Sequence, residues 1–205
     1  MKTADTTSPS ALLHFAPPPR RVRYVRHGDA SVFELPKMPL EETWTDGSAF
    51  RPAHLEGDWV LFRRTTRERV DDGEGPISED ALVGYGPDGL VDLGTFTGDT
   101  LELYEPHQVV LPPEPVVGAS WTAEHKRGDR TSQRSVELVA GEQPGELISV
   151  AEVRRGDGVL VLRNRYVEGE GWTGYEALVQ VPGRPSLRMW SEGLTVETAR
   201  PAPEA

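Results

Sequence analysis

Residues 158–181, GVLVLRNRYVEGEGWTGYEALVQV, constrain the fold more than any other stretch of this chain. Two runs rich in β-branched and aromatic residues flank Glu168-Gly169-Glu170-Gly171. Glycine admits the positive φ angles that tight connections need, so the pattern reads as a β-hairpin. Alternation then assigns faces. Leu160, Leu162, Asn164 and Tyr166 share one side; Val159, Val161, Arg163, Arg165 and Val167 share the other. On the partner strand Tyr175, Ala177, Val179 and Val181 line up together. The hairpin sets the class: a sheet protein with an Asn and two Tyr beside an apolar surface.

Further strand-like runs recur along the chain. They fall at 21–26, 31–35, 58–69, 80–85, 90–96, 104–111, 119–126, 133–140, 146–154 and 187–190. Residues 38–46 are ambiguous, because Pro39 followed by Glu41 and Glu42 also suits the first turn of a short helix. Gly86-Pro87-Asp88-Gly89 is a turn, and the prolines at 112, 113 and 115 mark a crossover or edge. Many short strands at this spacing predict an all-β fold, a strongly curved antiparallel sheet or a β-barrel or half-barrel with few short helices. The expected organisation is a flexible arm at 1–19, one β domain at 20–199 and a flexible tail at 200–205. There is also an internal echo: 58–96 and 146–181 both read strand, strand, glycine turn, strand, with Tyr85-Gly86-Pro87-Asp88-Gly89 and Tyr166-Val167-Glu168-Gly169-Glu170-Gly171 at matching points.

Charge narrows the partners. The 205 residues carry 33 acidic and 22 basic side chains, a formal net charge of −11. A phosphate backbone or an anionic membrane surface is therefore not the expected partner, since both call for clustered Lys and Arg. Cysteine is absent, which removes disulfides, thiolate catalysis and thiolate metal sites. No apolar run reaches membrane-spanning or signal-peptide length. The expected location is the cytoplasm, although a periplasmic or secreted mature form would read the same.

Tyr104-Glu105-Pro106-His107, the proline stretch after Leu111, Gly118-Ala119-Ser120-Trp121 and the Tyr166–Gly171 phrase together resemble a pattern of curved antiparallel-sheet, half-barrel domains. Such domains occur in bacterial envelope lipoproteins and uncharacterised proteins. The resemblance spans roughly residues 80 to 190 and implies a curved sheet; it transfers no functional residue.

Strand parity supplies the candidate site. Trp121, Ala123 and His125 share a face, as do Trp59, Leu61, Arg63 and Thr65. Asn164 sits between Leu162 and Tyr166. Polar groups on apolar faces need partners, and a ligand is one. The candidate ligand-binding set is Arg63, Trp121, His125, Asn164, Tyr166 and Tyr175, with Arg63, His125 and Asn164 expected to converge on one cavity. The leading reading is a non-enzymatic domain that binds a small apolar or amphipathic ligand, or a protein partner, in its concave face. A cofactor-independent enzyme of cyclase, isomerase or hydrolase type, and a partner-binding structural module that pairs through a sheet edge, for instance as a homodimer, are the alternatives. No cofactor or metal is expected: the five histidines show no ligand spacing. Two weaker signals remain, a Glu105–His107 acid–base pair and a calcium-type cluster of Asp71, Asp72, Glu74, Glu79 and Asp80.

Overall fold

A computed structural model describes residues 20–30, 33–70 and 73–198. The arm expected at 1–19, the tail at 200–205, and Asp71 and Asp72 lie outside the described residues. The described chain is one antiparallel meander of β1 (Arg20–Ala30), β2 (Phe33–Glu34), β3 (Met38–Asp46), β4 (Val60–Val70), β5 (Gly73–Gly86), β6 (Gly89–Thr97), β7 (Thr100–Leu111), β8 (Ser120–Arg127), β9 (Arg130–Ala140), β10 (Glu146–Arg155), β11 (Gly158–Val167), β12 (Gly171–Gln180) and β13 (Leu187–Thr198). β1 pairs with β3, each later strand pairs with the next in the chain, and β13 returns to pair with β1 from Arg20↔Thr198 to Ala30↔Leu187. The sheet thus closes into a barrel of twelve strands, with the two-residue β2 set beside the end of β1. Closure pairs the two long outer strands that an open curved sheet would leave as edges.

Turn chemistry explains how the meander reverses so tightly. The β6–β7, β8–β9 and β10–β11 connections are all Gly-Asp, at Gly98, Gly128 and Gly156 with φ of +61, +59 and +56°. Asp at the second position keeps a negative φ, as a type II′ turn requires. These three turns lie at one end of the barrel, since every second connection of a meander falls at the same end.

Residues 38–46 are strand, not helix. Backbone pairing on both sides, with β1 (Tyr24↔Leu40) and with β4 (Glu42↔Thr66), overrides the Pro-Glu helix-start signal. Among the described residues the helical content is one 3-10 turn, Ser48–Phe50.

Three apolar clusters fill different places. Inside the barrel, Tyr85, Leu90, Leu111, Leu138, Leu147 and Tyr166 form a plug, with Trp44, Trp121 and Trp172 packed on it. These residues lie toward the end of the barrel opposite the Gly-Asp turns. Val22, Tyr24 and Leu40 extend the inner packing on β1 and β3. The third cluster, Leu55, Leu61, Leu82, Val91 and Leu93, sits on the outer face of β4–β6 beneath the β3–β4 connection. Elsewhere the outer face carries ion pairs, including Arg23–Glu41, Arg154–Glu152 and Arg188–Glu176, where a membrane-spanning barrel would present apolar side chains. No helix among the described residues is long and apolar enough to cross a membrane.

Candidate ligand cavity

Twelve strands enclose more space than inward side chains can fill, since eight already give an interior that side chains just occupy. The plug occupies one end. Above it lies a cavity of about 660 Å³, within the range of small-molecule sites. Its deep residues, such as Leu90 and Tyr166, are buried, whereas Arg130, Arg155 and Gln180 near the Gly-Asp turns are exposed. The cavity therefore opens at the Gly-Asp end.

The wall is divided around its circumference. From β10 to β13 it is mainly apolar, built from Ala151, Val153, Leu160, Leu162, Val179 and Met189, with Asn164 deeper down and Arg155 and Gln180 at the mouth. Leu160, Leu162 and Val179 remain half-buried despite facing inward, because they border empty space rather than other side chains. From β3 to β9 it carries the charged groups, Glu42, Arg64, Glu79, Asp92 and Arg134, and Tyr104, set among Leu40, Val83, Leu90 and Val110. Tyr24 on β1 and Trp172 and Tyr175 on β12 form an aromatic group. Trp172 and Tyr175 stack at 6.2 Å and Tyr24 meets Trp172 edge-on at 5.6 Å.

Electrostatics within the polar wall are tightly coupled. Arg64 Nη2 donates to Glu79 Oε1. Burial opposes the Arg64 charge, but Glu79, Asp92 and Glu42 outweigh it and hold the guanidinium above its ordinary pKa. Glu42 accepts a hydrogen bond from Trp44 Nε1. Burial nevertheless pushes its carboxyl above the usual range, against the opposing pull of Arg64. The Tyr166 phenol is also pushed up, first by burial and then by Asp92, and it lies within the fields of Arg134, Arg64 and Glu42. Arg20 closes the floor by donating to the carbonyls of Glu170 and Trp172 at 2.9 and 3.2 Å. Three buried atoms here lack a hydrogen-bond partner: Arg64 Nε, Asp92 Oδ1 and Arg134 Nε.

The residues singled out by parity scatter. Asn164, Tyr166 and Tyr175 line the cavity, and Asn164 Oδ1 accepts from Trp172 Nε1 at 3.1 Å. Trp121 packs on the plug below. His125 is buried, with Nδ1 2.9 Å from the Pro106 carbonyl oxygen, and burial holds its imidazole below the ordinary pKa. Arg63 is outside the barrel altogether. Its Nε and Nη2 form a fork on Asp80 at 2.9 and 2.6 Å, and its guanidinium lies 4.4 Å over the Phe96 ring. The convergence expected of Arg63, His125 and Asn164 does not occur.

Among the described residues the members of the two weaker signals stand apart. His107 faces Asp88 at 3.1 Å rather than Glu105. Glu79 and Asp80 are successive residues of β5 and point to opposite faces, one to Arg64 and one to Arg63. Among the described residues no His, Asp and Glu group is placed to hold a metal.

No family model, curated protein or solved structure matches this chain. The cavity is therefore read from its own chemistry. Arg64, Asp92, Glu42 and Arg134 were missed by the parity reading. Arg134 carried the same signal as the residues that were chosen, a charged side chain in phase with Val136 and Leu138 on one strand face.

Proposed function

We propose that this barrel binds a small amphipathic ligand, with the ligand's apolar part along β10–β13 and its polar end on the β3–β9 wall. The observation that carries this reading is the division of one 660 Å³ cavity into an apolar and a charged half. A purely structural core would close on such leucines and valines, because unfilled apolar surface forfeits packing energy. A neutral apolar dye, N-phenyl-1-naphthylamine, tests it. Its fluorescence should rise on mixing with the native protein and fall when a submicellar alkyl amphiphile is added. Ala177→Phe projects a ring from the apolar wall into the cavity and should abolish the signal while the protein stays folded. Unchanged dye binding in that variant would place the dye elsewhere and remove the reading.

A second reading, catalysis without a cofactor, has one observation in its favour. Glu42 is a cavity carboxyl whose protonated form is favoured by burial, the state a general acid needs. Native mass spectrometry of protein from its own host would recover the bound species. Conversion of that species by the wild type, lost in Glu42→Gln, would favour the enzyme. Release of the species unchanged would favour the binder.

A further inference from the structure

We infer that the polar end of the ligand is an oxyanion and that Arg134 is the side chain that holds it; this rests on the amphipathic-ligand reading above. The protein as a whole carries a net charge of −11, yet seven arginines and three carboxylates line its cavity. Two of the carboxylates are engaged by hydrogen bonds: Glu79 is bonded to Arg64, and Glu42 accepts from Trp44. The third, Asp92, keeps one buried oxygen, Oδ1, without a donor but lies in the field of Arg64. Arg20 is bound to backbone carbonyls.

Arg134 stands apart. It is only 5 % exposed, and its Nη1 donates at 2.9 Å to the amide oxygen of Gln108, a neutral acceptor. Its Nε has no acceptor, and no carboxylate among the described residues pairs with it. Arg63 shows in the same chain what this edge of a guanidinium does when a carboxylate is present: Nε and Nη2 grip both oxygens of Asp80. In Arg134 the Gln108 contact occupies Nη1 and leaves that same edge without its counter-charge. A buried guanidinium is costly when unpaired and favourable when forked onto an oxyanion. Its neighbour His125 is held toward the neutral form by burial and supplies no negative charge. Around the mouth, Arg26, Arg127, Arg130 and Arg155 add positive field along the entry path.

The test is displacement of the neutral dye by three twelve-carbon probes that differ only in the head group: dodecanoate, dodecanol and dodecyltrimethylammonium, all below their micellar concentrations. In the wild type, dodecanoate should bind about tenfold more tightly than dodecanol, and the cation more weakly than either. Arg134→Met should reduce the acid-to-alcohol ratio to about one while leaving dodecanol unchanged. Arg134→Lys, which keeps the charge but loses the fork, should give an intermediate ratio and serves if the Met variant does not fold. Equal binding of dodecanoate and dodecanol by the wild type overturns the oxyanion and leaves the cavity reading standing. An unchanged ratio in the folded Arg134 variants overturns the role of Arg134. Failure of every probe to displace bound dye overturns both readings together.

Discussion

Arg63 and Arg64 are neighbours in the chain with opposite surroundings, Arg63 on the outer Asp80 and Arg64 on the cavity's Glu79. Arg63→Met strips the partner from an Asp80 side chain that is only 6 % exposed. Losing a buried partner is costly, but Arg63 itself is 30 % exposed and water screens part of the effect, so about 2 kcal/mol is expected. That should lower the thermal midpoint by several degrees without changing dye binding. Glu42 gives a pH signature of known sign. Its folded pKa is raised, so the folded state holds a proton that the unfolded chain has released, and the resulting stability is lost as pH rises through the folded value. Melting curves across pH 5.5 to 8 should show Glu42→Gln gaining on the wild type as pH increases. His125 has the opposite sign: its folded pKa is depressed, so the stability is complete above about pH 6.5 and is lost as pH falls toward the folded value. His125→Gln should therefore flatten the acid side of the same profile. Parity placed Leu160, Leu162, Asn164 and Tyr166 together correctly because β11 carries its polar residues mainly on one side. It failed for β4, where Leu61 and Phe62 are both buried and alternation no longer distinguishes inside from outside.

At the scale of elements, the β3–β4 connection makes that outer burial possible. It lays Trp59 against β5, where Gly84 and Gly86 leave room for the indole, and Trp59 Nε1 donates to the Glu56 carbonyl at 2.9 Å. A Cβ at Gly86 would stand 2.4 to 2.7 Å from the Trp59 ring. Gly86→Ala should push the indole off the sheet at a cost of about 1–3 kcal/mol, read as a red shift in tryptophan emission and a lower urea midpoint. In the sequence these glycines looked like turn punctuation alone; their second role, as a shelf, depends on a residue more than twenty positions away and has no local signature. The same limit explains β3. Its helix-start signal is local, while the pairing that makes it a strand comes from β1 and β4. The hairpins, by contrast, were legible because a Gly-Asp turn is encoded by its own two residues.

The whole molecule inherits its cavity from strand number, and the polar character of one wall from where charge is placed on the ring. The echo noted in the sequence falls into this geometry: Tyr85 on β5 and Tyr166 on β11 lie six strands apart in a ring of twelve, on opposing walls, and meet in one plug. Among the described residues the strand pairing most distant in the chain is that of Arg20 with Thr198. Every other interface of the ring joins strands that follow closely in the chain, so most of the sheet can assemble by local hairpin growth. The β1–β13 pairing must bring remote segments together, and non-local contacts of this kind slow folding. Until that clasp forms, the apolar wall and Arg134 face water and no enclosed cavity exists. In refolding experiments, strand signal in circular dichroism should therefore appear first and dye capture last, which makes the cavity a clock for the final event of folding.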